Sequence, residues 1–293
     1  MKLALLLSGN LGLEILQQLV RSTNIEFVAT DLNSGAIIAQ CEKYNIPIFI
    51  GNPRKGRLHS FASEFECETL LSINYLFLIE NDVINLFKVP INFHGSLLPK
   101  YRGRTPHVWA IINNERECGI TAHYMDSGCD TGDIVMQRKV AIDANDTGND
   151  LLLKYVSLYP QMVRDILYQI ENGDLQKYVQ NESLATYYGK RSPEDGQINW
   201  NWQKERIRNW VRALSHPYPG SFTYINGIKI IIDEIEFSDV GYDFAIPNGC
   251  IINSEPLLVK TPNGAVLLKT MRDSELKKII FKDNILGNED RSL

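Results

Sequence analysis

The sequence is poor in cysteine and has no closely spaced cysteine pair. Five cysteines occur among 293 residues, and none of them forms a CxxC motif. An odd number of scattered thiols argues against a disulfide framework and is typical of a chain that stays reduced. We therefore expect a cytoplasmic protein.

Long apolar runs are also absent. No stretch reaches the roughly 18 consecutive apolar residues that a transmembrane helix requires. The start, MKLALLL, is too short for the core of a signal peptide, and Gly9 and Asn10 follow it without a cleavage pattern. The sequence therefore predicts neither a membrane span nor a cleaved leader.

Positive charge is not in excess. Thirty Lys and Arg stand against 35 Asp and Glu, which gives a formal net charge of −5 and a pI near 5.6. This balance argues against broad binding to nucleic acid or to an anionic membrane, although it permits a local basic pocket for a phosphorylated small molecule. Apolar residues make up 44% of the chain, which is typical of a globular protein with a sizeable core.

The first part of the chain alternates short apolar runs with helix-length segments. The predicted strands are Leu3–Leu7, Ile25–Thr30, Ile46–Ile50, Thr69–Ile73, Val89–Phe93, Gly119–Met125 and Ile134–Ile142. Alternation of this kind predicts an α/β fold with a mainly parallel sheet, in which ligands bind beyond the carboxyl ends of the strands. Thr147 and Asp150 are spaced as a capping pair and predict the start of a long helix.

The pattern changes after Trp200. A connector without clear periodicity, Asp174 to Gln197, precedes an amphipathic helix around Ile207–Leu214. Six short strands are predicted after it, at Ser221–Ile225, Ile228–Ile235, Cys250–Asn253, Leu257–Thr261, Val266–Thr270 and Ile279–Lys282. Asn226-Gly227 and Asn263-Gly264 are hairpin signals, so this part predicts a small, mostly β domain with one leading helix.

Polar residues with catalytic potential lie between Ile91 and Ile134. Asn92 and His94 are two apart at the end of an apolar run, so both lie on one face of a strand. Asp130 lies in a glycine-punctuated acidic loop after the next predicted strand. An amide, an imidazole and a carboxylate suit a reaction in which an amine attacks a carbonyl and an oxyanion develops. The sequence shows neither a serine in a nucleophile elbow nor an evident Cys–His pair. It therefore does not indicate a covalent acyl-enzyme.

Other interpretations of these residues are open at this point. A single buried histidine at a strand end is usually structural. The loop Asp126–Asp133 could be a turn or a calcium loop, although it lacks the glutamate that closes an EF-hand. His94, His107 and His123 with Cys129 could be zinc ligands, but their spacing matches no common zinc pattern and we expect no metal.

Three motifs follow one another over residues 92–133: Asn-x-His-x-Ser-Leu-Leu-Pro, Tyr-Arg-Gly and Asp-x-Gly-x-Asp-Thr-Gly-Asp. In this combination the sequence resembles the 10-formyltetrahydrofolate-dependent formyltransferases. That family includes methionyl-tRNA formyltransferase, glycinamide ribonucleotide transformylase and the nucleotide-sugar N-formyltransferases. The resemblance implies a Rossmann-like catalytic domain over residues 1–185, a mostly β domain over residues 186–293, and N10-formyltetrahydrofolate as the formyl donor.

The resemblance also implies roles for individual residues. Asn92, His94 and Asp130 would be catalytic, with Asn92 and a protonated His94 stabilising the oxyanion and Asp130 orienting and charging His94. The implied folate contacts are Leu76, Phe77, Leu78, Arg104, Asp126, Ser127, Gly128, Cys129 and Asp130. From hydropathy alone, Leu76–Leu78 would be interpreted as core and Arg104 as a member of a surface salt bridge.

The nucleotide-sugar branch resembles this chain in the segments Tyr101–Pro106 and Tyr188–Asp195. The residues assigned to the acceptor substrate are Gly9, Asn10, Ser96, Tyr101, Lys190, Arg191 and Trp200. Gly9 and Asn10 are included because the equivalent loop meets the substrate phosphate in the purine branch of the family. Lys190 and Arg191 could neutralise a pyrophosphate. Tyr187, Tyr188 or Trp200 could stack on a base or a sugar. The alternatives are a ligand-free glycine turn at Gly9 and a connector that packs aromatic residues between domains.

We expect the acceptor to be a nucleotide-linked amino sugar, namely dTDP-4-amino-4,6-dideoxyglucose, as used in O-antigen and lipopolysaccharide synthesis. The alternatives are a dTDP-3-amino sugar, a UDP-4-amino sugar, or methionyl-tRNA. From Asn201 onward the chain has twelve basic and twelve acidic residues, a neutral balance that suits tRNA poorly. A homodimer is expected, with no nucleic-acid or membrane partner.

Overall fold

The computed structural model describes residues 1–272 and 284–287. They form two compact units. The first comprises residues 1–106, 118–140 and 154–188, and the second comprises residues 107–117, 141–153 and the described residues from 189 onward. The domain boundary at 185/186 stays a prediction. No helix among the described residues is long and apolar enough to cross a membrane.

A seven-stranded sheet organises the first unit. Its strands are β1 (Lys2–Leu7), β2 (Asn24–Thr30), β3 (Ile48–Ile50), β4 (Thr69–Ile73), β5 (Val89–His94), β7 (Glu117–Tyr124) and β8 (Ile134–Ala141). The order across the sheet is β3-β2-β1-β4-β5-β7-β8. Strands β1 to β5 are parallel and β7 is antiparallel to β5. Short strands β6 (Arg102–Gly103) and β9 (Tyr187–Tyr188) form a separate pair.

Six helices connect these strands: α1 (Gly9–Leu19), α2 (Gly35–Lys43), α3 (Arg57–Ala62), α4 (Asn81–Ile84), α5 (Pro106–Ile112) and α6 (Gly148–Asn172). The predicted capping pair is present before α6. The backbone N–H of Asp150 donates to the Thr147 hydroxyl (3.1 Å), and the N–H of Thr147 donates to the Asp150 carboxylate (2.9 Å). This exchange satisfies donors that the first turn of a helix leaves free.

The second unit contains helix α7 (Lys204–Leu214) and five antiparallel strands. These are β10 (Ser221–Ile225), β11 (Ile228–Ser238), β12 (Ile251–Ser254), β13 (Leu257–Thr261) and β14 (Gly264–Met271), in the order β10-β11-β14-β13-β12. The predicted α/β first part and mostly β second part are confirmed. The strand predicted at Ile279–Lys282 lies outside the described residues.

The two predicted hairpins are present, but only one has the expected turn. Asn226 and Gly227 both have positive φ (50° and 76°), as a two-residue turn of the favoured hand requires. In the other hairpin Thr261 pairs with Gly264, so Pro262 and Asn263 form the turn and Gly264 belongs to the strand. The sequence signal therefore located this hairpin one residue too late.

An aromatic cluster fills the core on one side of the large sheet. Phe27, fully buried on β2, contacts Phe61 (ring centroids 5.4 Å apart), Phe65 (5.2 Å) and Phe87 (6.4 Å). Parallel strands covered on both faces need apolar side chains at nearly every position. Phe27 therefore packs β2 against α3 and against the segments that follow α3 and α4.

We expect Phe27→Ala to destabilise the first unit by about 3–5 kcal/mol, because it removes a buried ring and leaves a cavity. Urea unfolding followed by circular dichroism measures this loss. Leu32→Ala is the matched control, since Leu32 is 77% exposed and its truncation should cost under about 0.5 kcal/mol. Equal losses for the two variants would contradict a core role for this cluster.

Candidate active site

The three predicted catalytic side chains lie together in the first unit. Asn92 and His94 are two residues apart on β5 and therefore lie on the same face of the strand. Asp130 follows β7, which is the antiparallel neighbour of β5. The Asp130 carboxylate lies 3.5 Å from His94 Nδ1 and 3.5 Å from Asn92 Nδ2. The His94 and Asp130 side chains are only 8% and 13% exposed. The fold thus brings an amide, an imidazole and a carboxylate into one buried cluster.

His94 has a fixed hydrogen-bond pattern. Its Nε2 lies 2.8 Å from the carbonyl oxygen of Tyr101, which can only accept, so Nε2 carries a proton. Its Nδ1 faces Asp130. Burial lowers the pKa of His94 and outweighs the opposing effects of the Asp130 carboxylate and the Tyr101 carbonyl. With Nε2 donating to the Tyr101 carbonyl, a second proton on Nδ1 would face the Asp130 carboxylate, and the protonated His94 of the sequence interpretation stays a prediction.

Asp130 is ionised although it is buried. Burial opposes its charge, but His94, His123 and the backbone N–H of Gly103 (2.9 Å) outweigh that penalty and hold the pKa of Asp130 well below its usual range. The backbone of Asp130 has φ of +57°, an uncommon conformation for a residue other than glycine. Such a backbone conformation at a buried charge is typical of a functional site.

Sequence reasoning considered His123 only as a zinc ligand and missed its place in this cluster. His123 pairs with Asn92 across β5 and β7. Its Nδ1 donates to the carbonyl of Tyr124 (2.8 Å), while its Nε2 lies 3.1 Å from Asn92 Nδ2 and 3.5 Å from Asp130. His123 therefore orients the Asn92 amide and neighbours the carboxylate. Its position on the strand leading into the Asp130 loop was the available signal.

The acidic loop closes on itself. Asp126 accepts from the N–H of Gly128 (3.0 Å) and from the hydroxyl of Thr131 (2.7 Å). A Cβ on Gly132 would lie 1.9 Å from the carbonyl oxygen of Tyr124, so only glycine fits there. Among the described residues there is no group of three or more His, Cys, Asp and Glu side chains with the geometry of a metal site.

Cys129, beside Asp130, is not a thiolate. Desolvation and the neighbouring Asp130 carboxylate raise the pKa of the Cys129 thiol to about 11. A thiol with so high a pKa is a poor nucleophile at neutral pH. Cys129 is therefore not an activated nucleophile in this site.

The predicted folate residues include exposed apolar side chains. Leu76 and Leu78 are 46% and 57% exposed, so the core interpretation from hydropathy is wrong for both. Phe77 lies against Tyr75, with ring centroids 5.5 Å apart. Arg104 donates from Nη2 to the carbonyl of Leu76 (2.7 Å) rather than to a surface carboxylate. Leu76–Leu78 and Arg104 are thus neighbours, and their role in cofactor binding stays a prediction.

The predicted acceptor residues of the first unit differ in their accessibility. Gly9 and Asn10 are exposed at the start of α1, although the N–H of Gly9 already donates to Ser34 Oγ (2.9 Å). Ser96 is fully buried and donates to the carbonyl of Lys100 (2.7 Å), which favours a structural role. Tyr101 is 6% exposed and its ring stacks on Tyr188, so its contribution to the site is its backbone carbonyl.

The other three predicted acceptor residues belong to the second unit. Lys190 is exposed. The guanidinium of Arg191 lies between the rings of Trp109 and Trp210, 5.2 and 4.3 Å from their centroids. The Nη2 of Arg191 donates to the backbone carbonyl of Asp195 (2.8 Å), and Nη1 is buried without a hydrogen-bond partner among the described residues.

Trp200 is buried in the second unit, with 4% of its surface exposed, and its Nε1 donates to the hydroxyl of Thr223 (3.0 Å). A ring packed in this way has no free face of the size that base stacking needs. The contacts of Trp200 therefore favour a role in the core of this unit.

Comparison with protein families identifies the class of this protein. The formyl transferase family model matches residues 51–163, and the model of the formyl transferase C-terminal domain matches residues 190–288. Together they match well over half of the chain, and the chain belongs to the formyl transferase family. The resemblance inferred from the motifs is confirmed, and so is the prediction that the protein is a formyltransferase enzyme.

Solved structures share the fold. The sugar 3N-formyl transferase WlaRD, crystallised with dTDP and 5-N-formyl-THF, has a TM-score of 0.69 and 21% identity, covering 93% of this chain and 98% of its own. The N-formyltransferase of Helicobacter canadensis, in complex with folinic acid and dTDP-3-aminofucose, has a TM-score of 0.67 and 23% identity, covering 92% and 99%. A 4-N formyltransferase of Francisella tularensis has a TM-score of 0.67 and 22% identity, covering 79% and 96%.

We expect Asp130→Asn to destabilise the protein by an amount that depends on pH. The folded-state pKa of Asp130 lies below that of the unfolded chain, so its ionisation stabilises the fold above about pH 4 and less as pH falls further. Urea unfolding of both proteins between about pH 6 and pH 3 measures the difference, which should shrink toward low pH.

Asp174→Asn is the control for this measurement, since Asp174 is exposed after the end of α6. Its substitution should change stability little at any of these pH values. A destabilisation by Asp130→Asn that stays constant down to pH 3 would show that the ionised carboxylate contributes nothing to folding.

Proposed function

We propose that this protein transfers a formyl group from N10-formyltetrahydrofolate to the amino group of a nucleotide-linked amino sugar. The observation that carries the proposal is the buried cluster of Asn92, His94 and an ionised Asp130 in a chain of the formyl transferase family. The structural relatives WlaRD and the Helicobacter canadensis enzyme, crystallised with 5-N-formyl-THF or folinic acid, support the choice of donor.

In the proposed reaction the amine of the sugar attacks the formyl carbon of the folate. The new C–N bond forms as the carbonyl oxygen becomes an oxyanion, and the bond from carbon to folate N10 then breaks. Asn92 donates to the oxyanion, because its amide is oriented by His123. The pair of His94 and the ionised Asp130 can hold the proton released by the amine, directly or through water, before it passes to N10.

The exposed leucines Leu76 and Leu78, with Arg104 beside them, are the residues we assign to the cofactor. An apolar surface next to a guanidinium suits an aromatic ring system that ends in a carboxylate. The Asp126–Asp130 loop offers backbone groups to the same ligand. No step of the reaction depends on a metal.

A dTDP-linked amino sugar is the acceptor that we propose, with dTDP-4-amino-4,6-dideoxyglucose as the first candidate. The Francisella tularensis relative is a 4-N enzyme, while WlaRD and the Helicobacter canadensis enzyme favour the 3-amino isomer as a second candidate. In the second unit, the exposed Lys190 and its cationic neighbour Arg191 are suited to a phosphate. We also propose that the protein takes part in the synthesis of O-antigen sugars, that it acts in the cytoplasm, and that it is a homodimer.

The test is a formyl-transfer assay with four acceptors offered in parallel. They are dTDP-4-amino-4,6-dideoxyglucose, its 3-amino isomer, UDP-4-amino-arabinose and methionyl-initiator tRNA. We expect turnover with a dTDP-linked sugar. Asn92→Ala and His94→Ala should each lower kcat by about 10²–10³, because each removes a group that acts only in the transition state.

His59→Ala serves as the matched control, since His59 lies on α3 and outside the catalytic cluster; it should keep the activity of the unmodified enzyme. Turnover only with charged tRNA would contradict the sugar acceptor. Full activity of His94→Ala would contradict the catalytic cluster itself.

A further inference from the structure

The segment from Tyr178 to Tyr188 lies against the catalytic cluster within the first unit. From its sequence, this segment is predicted only as part of a connector. At one end, Tyr178 and Ile134 exchange two backbone hydrogen bonds of 2.8 Å. At the other end, β9 pairs in parallel with β6, so that Tyr187 and Tyr188 oppose Arg102 and Gly103. The segment is therefore fixed by backbone bonds on both sides of Gln180.

Gln180 joins this segment to Asp130. The side chain of Gln180 is buried, with 5% of the residue exposed. Its Nε2 donates to the backbone carbonyls of Asp130 (2.9 Å) and Gly132 (2.7 Å). Both hydrogens of the amide are thus used on the two carbonyls that flank Thr131, in the loop that carries the carboxylate.

Arg102 fixes the orientation of the Gln180 amide. Gln180 Oε1 accepts from Arg102 Nε (3.2 Å) and Nη2 (2.7 Å). Arg102 is completely buried, and the carboxylate of Glu182 accepts from both of its terminal nitrogens, at 2.9 and 2.6 Å. Because a guanidinium can only donate, it forces the oxygen of the Gln180 amide toward itself and the nitrogen toward Asp130.

The contact between Gln180 and Asp130 involves a residue with an uncommon backbone conformation. Asp130 has φ of +57°, and in this conformation its carboxylate accepts from the N–H of Gly103 (2.9 Å) and faces His94. The adjacent carbonyl of the same residue is the one that Gln180 binds. We propose that Gln180, oriented by Arg102, is a positioning residue that holds the Asp130 backbone so that its carboxylate faces His94.

The inference rests on the proposed function, and Gln180→Glu is the variant that tests it. The glutamate keeps the size of the side chain and the contact with Arg102, but it cannot donate to the two loop carbonyls. We expect kcat for formyl transfer to fall by about 10–100-fold, since small displacements of a catalytic group are costly. The thermal unfolding midpoint should fall, because the carboxylate leaves two loop carbonyls without a donor, so kcat is measured well below that midpoint.

A double-mutant cycle separates positioning from a general structural role. In an Asp130→Asn background there is no carboxylate left to position, so Gln180→Glu should lower the residual kcat by less than about twofold. Gln176→Ala, an exposed change in the same connector, should leave kcat unchanged in both backgrounds. An equal loss from Gln180→Glu in both backgrounds, or no loss in either, would overturn the inference.

Hydrogen exchange tests the same contact without substrate. The backbone N–H of Gly103 donates to the Asp130 carboxylate. In Gln180→Glu this amide hydrogen should exchange faster, while the amide hydrogens of the large sheet should exchange at an unchanged rate. If the unmodified enzyme formylates none of the amino sugars, the proposed function fails while this readout still decides the positioning role. Unchanged exchange at Gly103 would overturn that role whatever the acceptor is.

Discussion

The ionised carboxylate of Asp130 is the constraint on which the site depends. A buried charge is stable only where donors and opposite partial charges surround it closely. Here those groups come from separate parts of the chain: His94 from β5, the Gly103 amide from β6 and His123 from β7. The Asp130 carboxylate therefore contacts groups from three strands. A register error in any of these strands would leave a buried charge without a partner.

Surrounding the Asp130 carboxylate in this way requires backbone segments to approach each other closely. A Cβ on Gly103 would lie 2.3 Å from the carbonyl oxygen of Tyr188, and a Cβ on Gly132 would lie 1.9 Å from that of Tyr124. The glycines of the Tyr-Arg-Gly and Asp-Thr-Gly motifs thus allow the loop, the strand β7 and the 178–188 segment to meet around Asp130. Their occurrence in the motifs has a steric reason and not only a catalytic one.

Burial divides the predicted ligand residues into two groups. Leu76 and Leu78 expose apolar surface that nothing in the first unit covers fully, and exposed leucines beside an arginine are suited to a ligand. Ser96 and Trp200 have satisfied hydrogen bonds inside their own units, so each of them stabilises the fold of the unit to which it belongs. A motif match does not by itself show that a residue contacts a ligand. Its exposure and its hydrogen bonds distinguish a ligand contact from a structural role.

The sequence by itself determined the α/β alternation, the β-rich second part and the choice of Asn92, His94 and Asp130. These follow from local periodicity and from motifs whose residues are close in the chain. It did not reveal His123 or Gln180, because their roles depend on partners 31 and 50 positions away. It also could not show the burial of His94, which lowers the pKa of that imidazole, because burial is a property of packing. Tertiary structure decided these points because long-range hydrogen bonds and desolvation exist only once the strands have assembled.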